Sequence, residues 1–173
     1  MDEIYFAITD RMHPISATGR KCNTTKVLVA IAVEMLEPKG FGRIRVQQIA
    51  YGDAEHLLPF VRKFVELGSM IHTDGAKFYN KHEGAGFGHK RTVHLGSDIP
   101  AYEFMPGVDR VASLLQRWLL GIHHGVVQPR QLDYYLDEFV FRFNRRTSRS
   151  RGLLFYRLLQ QAVVTSPALY PYK

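Results

Sequence analysis

The chain has 173 residues, of which 46% are hydrophobic and 23% charged. Those proportions describe one folded domain with a real core and exclude a disordered polymer. No apolar run approaches the ~20 residues that span a bilayer, and Met1 is followed by acids rather than by a secretory leader. Cys22 is the only cysteine, which excludes an internal disulfide and a cysteine-built zinc ribbon and suits a cytoplasmic protein. The net charge of +7 is uneven: residues 1–109 carry 13 basic and 13 acidic side chains, and residues 110–173 carry 10 and 3. An excess confined to the C-terminal third favours a polyanion as partner over a surface that merely aids solubility.

In chain order, "EIYFAI" (3–8), the apolar "KVLVAIAVEML" (26–36) and the alternating "GRIRVQQIAY" (42–51) predict three strands of an antiparallel meander. The second is expected to be buried on both faces. "EPKGFG" supplies the turn between the last two. "GDAEHLLPFVRKFVELGS" (52–69) predicts a helix with Asp53 as N-cap, a late start or kink at Pro59, and an end at Gly68. "SMIHTDG" (69–75) is a short strand stopping at Asp74, "AKFYNKH" a short helix, and "HKRTVHL" (89–95) a fifth strand. "VDRVASLLQRWLLG" predicts a helix closed by Gly121. In "QLDYYLDEFVFRF", Leu132, Tyr135, Leu136, Phe139, Val140 and Phe143 trace one helical face, and "GLLFYRLLQQAV" (152–163) adds a last helix. The whole is one α/β domain, with a sheet-rich part over 1–107 and a helical, basic part over 108–173.

Three acids stand next to the predicted core: Asp2 at the start of the first strand, Asp74 at the end of a later one, and Asp109 opening a helix. Carboxylates gathered from separate elements bind Mg²⁺ or Mn²⁺, which prefer oxygen ligands, and a pair of such ions serves phosphodiester chemistry. Each acid also has an ordinary reading, as a chain end, an Asp-Gly turn and a helix-start charge respectively. Three strands, a helix, a strand ending in an acid and a later helix opening with another is the order of a ribonuclease H-like fold, a mixed sheet flanked by helices.

Four stretches carry a resemblance: "MDE" (1–3), Thr73-Asp74-Gly75 with Tyr79, "SLLQRWLLGIHHG" (113–125) and "YLDEFVFRFNRR" (135–146). Together they resemble the catalytic domain of DDE-type insertion-sequence transposases of the ISXO group. The resemblance implies that Asp2, Asp74 and Asp109 are the catalytic, metal-holding acids. It implies cleavage of DNA and its transfer to a target, with transposon ends and target DNA as partners and a homo-oligomer forming on DNA in a bacterial cytoplasm, at the nucleoid. The family's Asn-x-x-Glu pair is replaced here by Pro106 and Asp109, and its basic residue seven positions on by Gln116, with Arg117 beside it. Met1 directly precedes the first acid, so the chain reads as an N-terminally truncated copy without the family's upstream DNA-binding module. The alternatives are a catalytically impaired DNA-binding remnant and a nuclease that only hydrolyses.

With a single cysteine and no i, i+4 pair, the eight histidines make a poor zinc site. His72, on the strand before Asp74, reads as packed or hydrogen-bonded, whereas His123 and His124, after "LLxG", are expected near DNA. "RFNRRTSRSRG" places Arg142, Arg145, Arg146, Arg149 and Arg151, together with Asn144, where guanidinium groups grip phosphate without reading base sequence. The competing reading is a cationic helix end that complements the dipole.

Overall fold

The computed structural model describes residues 1–9, 24–36, 38, 40–73, 86–92, 105–123 and 127–165. Strand formers build a meander of β1 (Asp2–Thr9), β2 (Thr24–Met35) and β3 (Phe41–Ile49), antiparallel in the order β1-β2-β3. The register runs from Asp2 opposite Ile31 to Thr9 opposite Thr24. β2 and β3 start from Leu28 opposite Ile49 and slip by a bulge between Val33 and Met35.

The central strand is buried on both faces, as its unbroken apolar run predicts, and its alternation sorts two cores. Val27, Val29 and Ile31 face one way and join Phe6, Ile44 and Val46 against the C-terminal helices. Leu28 and Ala30 face the other way, with Met1, Ile49, Ile71 and Phe87, against α1 (Ala54–Phe64). Leu57, Phe60 and Val61 supply the buried stripe of α1. Asp53 caps that helix: its Oδ1 accepts from the backbone N–H of His56 at 3.0 Å and meets His56 Nδ1 at 2.7 Å. These bonds hold the Asp53 carboxyl below its ordinary pKa. Pro59 lies inside α1 without delaying its start, and the helix ends at Phe64, with Val65 as its cap, ahead of Gly68.

β4 (Met70–Thr73) and β5 (Gly88–Arg91) pair in parallel, from Met70 opposite Gly88 to Thr73 opposite Arg91. The order of elements predicts one mixed sheet. Among the described residues there are two sheets, joined where the Met1 ammonium donates to the carbonyl oxygen of His72 at 2.7 Å. β5 is shorter than the predicted 89–95, whose last residues, like Asp74, Tyr79 and the "AKFYNKH" helix, lie outside the described residues.

On the far face of the meander sit α2 (Pro106–His123) and α3 (Pro129–Asn144). α2 begins with Pro106, whose fixed φ suits the first turn and whose missing N–H costs nothing there, and it runs through Gly121 rather than ending at it. Val111, Leu115, Leu132 and Leu136 are essentially inaccessible and knit the two helices to the sheet. α4 (Arg151–Val164), capped by Ser150, buries none of its residues. No helix among the described residues is long and apolar enough to cross a membrane.

Candidate functional site

β4 and β5 are locked together by side chains as well as by their ladder. His72 Nε2 lies 2.5 Å from Thr92 Oγ1, and Thr73 Oγ1 lies 2.7 Å from His89 Nε2. Thr73 is fully buried, so its hydroxyl needs a partner such as this one. Burial, followed by the nearby Met1 ammonium, Lys90 and His89, lowers the His72 pKa and favours the neutral ring. The strand that leads into Asp74 is therefore fixed on one side by β5 and, at His72, by the chain start.

Asp2 follows directly from that chain start. It is half-buried on β1, and its Oδ1 accepts from the N–H of Glu3 at 2.9 Å. Asp109 lies in the first turn of α2, half-exposed, with its N–H donating to the Met105 carbonyl at 3.1 Å. A close approach sets where that turn sits. A Cβ on Gly107 would come within 2.7 Å of Met35 Sδ and 3.2 Å of Phe41, so glycine lets the helix start rest on the ends of β2 and β3.

A cleft of about 530 Å³ opens between these elements. Met1, His72 and residues 105–108 line it, with residues 32–35 of β2, residues 64–66 at the end of α1, and Arg43 and Arg45 of β3. The chain neighbours of Asp2 and Asp109, and the strand that ends just before Asp74, thus border one cleft. Asp74 itself lies outside the described residues, and among those residues no group of three or more metal-ligating side chains is assembled.

The basic candidates divide by what they already hold. Asn144, at the end of α3, accepts from the N–H of Ile44 at 2.7 Å and donates to its carbonyl at 3.1 Å, matching the free edge of β3 as a neighbouring strand would. Arg146 donates to Gly42 O at 3.2 Å and also to Phe41 O, and its guanidinium sits 4.1 Å from the centre of the Phe143 ring. Arg145 stacks 3.9 Å over Phe141, and Arg142 meets Glu138 at 2.7 Å one turn back. Arg117, Arg149 and Arg151 are exposed, without a hydrogen-bond partner among the described residues.

His123 packs 3.9 Å from the Tyr135 ring and 5.0 Å edge-on to Trp118. Its Nε2 and Trp118 Nε1 are buried without a hydrogen bond among the described residues. His123 is thus part of the α2–α3 packing. His124 lies outside the described residues.

The model of the ISXO2-like transposase domain matches residues 1–144. The chain belongs to that family. A search of curated proteins finds no match. The transposase match ends at Asn144, the last residue of α3, so it takes in Asp2, Asp74, Asp109 and the strand-edge clip of Asn144. Arg145, Arg146, Arg149, Arg151 and all of α4 follow it. Sequence reasoning missed the pairing of Thr73 with His89 and of His72 with Thr92. The only signal was four side chains able to hydrogen-bond on two short runs, and no spacing rule aligns such runs before their register is known.

Proposed function

We propose that this chain is the catalytic core of a DNA transposase that cleaves and joins phosphodiester bonds, with Asp2, Asp74 and Asp109 holding Mg²⁺ or Mn²⁺. The observation that carries the proposal is the single cleft bordered by Met1, His72 and the first turn of α2. Met1 adjoins Asp2, His72 stands two residues before Asp74, and the first turn of α2 carries Asp109. The antiparallel meander, the parallel β4–β5 pair and the Met1–His72 bond support a ribonuclease H-like arrangement with β1 beside β4. An all-carboxylate set fits a hard divalent cation, and a single cysteine in the sequence cannot build a thiolate site for a softer one. When bound, such ions supply Lewis-acid stabilisation of the oxygens that attack and leave phosphorus.

The chain's own groups do the rest. Arg43 and Arg45 on the wall of the cleft offset the charge of an entering phosphodiester strand. Burial favours the neutral form of the neighbouring His72, which weakens it as a competing cation. Exposed Arg117, Arg149 and Arg151, with Arg142 and Arg145 nearby, grip the DNA backbone without reading its sequence. Hydrolysis at a transposon end frees a 3′-hydroxyl, and attack by that hydroxyl on target DNA completes transfer. Both are in-line displacements, so one site serves both.

The test is incubation of the purified chain with supercoiled DNA in Mg²⁺ or Mn²⁺, alongside EDTA and an Asp109→Asn variant. Nicked and joined products that need the metal and vanish in the variant support the proposal. Metal-independent products, or identical products from the variant, overturn it.

A further inference from the structure

α4 buries none of its residues, although most of them are apolar. Leu154, Phe155, Leu158, Leu159 and Ala162, at successive spacings of 1, 3, 1 and 3, trace one stripe along it, which Tyr156 and Val163 widen on one side. Phe155, Tyr156, Leu158 and Val163 are each half exposed or more. Arg157 and Gln160 lie on the other side of the helix, where Arg157 Nη1 donates to Gln160 Oε1 at 3.1 Å. A continuous apolar stripe left open to water marks a docking surface.

The preceding helix of the same copy is a poor cover. Arg145 and Arg146 are held by ring stacking and by a carbonyl of β3, so only residues 147–150 join α4 to the domain, a reach of about 14 Å at full extension. Asp133, Asp137 and Glu138 are exposed on α3, and an apolar stripe laid on them would take their charges out of water without partners. The stripe fits a second copy of itself in one direction. Antiparallel, with Leu158 facing the partner's Leu159, Phe155 meets the partner's Ala162, large against small, which is the condition for interdigitated packing. In parallel, the two Phe155 rings would meet each other and the two Ala162 residues would leave a gap. Charge favours the same direction. Arg151 opens α4, where it opposes the helix's own dipole, and no acid stands in the first turn to offset it. An antiparallel partner brings the carbonyl end of its helix beside Arg151 and keeps the two Arg151 side chains apart.

We infer that α4 is a self-docking helix: two copies of this chain pair through antiparallel α4 helices about a two-fold axis, with Phe155 of each seated on Ala162 of the other. Each helix is about 21 Å long, and such a pair covers less than the ~800 Å² per partner of a standard interface. The association is therefore reversible and in the micromolar range, and α4, marginal as a lone helix, is firmer in the pair. α4 follows the residues that match the transposase family. Its pairing needs neither DNA nor metal, so it stands or falls separately from the proposed chemistry.

The experiment is sedimentation equilibrium of the full chain, without DNA, across the micromolar range, with amide hydrogen exchange at both ends of that range. The parent chain is expected to pass from monomer to dimer, and the α4 amides to gain protection over the same concentrations. Leu158→Arg sets two cations against each other at the centre of the pair and should weaken association about tenfold or more, whereas Arg157→Gln, on the opposite face, should leave it unchanged. Phe155→Ala opens a gap and Ala162→Phe sets ring against ring, so each should also weaken the dimer. The double variant exchanges the large and small positions and should restore it. Because α4 buries nothing in its own copy, none of these substitutions disturbs either core. A monomer at every concentration, α4 protection that does not depend on concentration, or a dimer that Leu158→Arg leaves intact overturns the inference. So does a dimer that Ala162→Phe strengthens, or a double variant no better than the single ones.

Discussion

Asn144 is the residue whose sequence and structural readings differ most. In "RFNRR" it reads as one more group for phosphate, whereas in the fold its amide pairs with both backbone groups of Ile44. Its side chain therefore ends the exposed edge of β3, a surface that proteins must otherwise protect. Asn144→Ala leaves a partly buried N–H and carbonyl without partners. The expected cost is about 1–3 kcal/mol, read as a lower urea midpoint at constant slope; an unchanged midpoint contradicts the clip. His72 makes a second prediction. Its folded pKa lies below the ordinary histidine value of 6.5, so the unfolded chain binds the proton more readily. The stability held by the neutral ring is full above that value and is lost as pH falls through the lower folded pKa. His72→Gln should flatten the pH dependence of the urea midpoint over that window, and an identical profile in both proteins would sink the assignment.

Elements were legible where burial repeats with a clear period. β2 and α3 follow their patterns because unbroken apolar residues and 3, 1, 3, 1 spacing leave one way to bury them. Ends were harder to read. Gly121 stays inside α2 and does not take the left-handed φ that would end a helix, and α1 stops before Gly68, which takes the positive φ of 83° in the turn that follows. The sequence offers the acids as candidates but not the contacts around them, since Gly107 against Met35 and Thr73 against His89 depend on register and helix placement. α4 is an element without a tertiary partner among the described residues: Leu153, Phe155, Val163 and Val164 are all exposed. A lone helix of this length is marginal in water. A chain ending at Ser150 should therefore melt within about two degrees of the full chain, since truncation removes no buried contact; a large drop would mean that α4 packs on the domain.

At the scale of the molecule, two cores share one central strand, and the cleft lies where that strand outruns its neighbour. The same arrangement brings the start of β1, the end of β4 and the start of α2 to one edge, which is why acids far apart in sequence become candidates for a single site. The surplus of positive charge lies in the C-terminal third, where Arg149 and Arg151 are exposed and Arg145 and Arg146 are held by the fold. The most direct test of the central claim is calorimetric titration of Mn²⁺ into the chain and into Asp2→Asn, Asp74→Asn and Asp109→Asn. The account predicts binding to the parent chain and a loss of at least about tenfold in affinity in each variant, since each removes one charged ligand from a shared site. Parent-like binding in all three variants would contradict it.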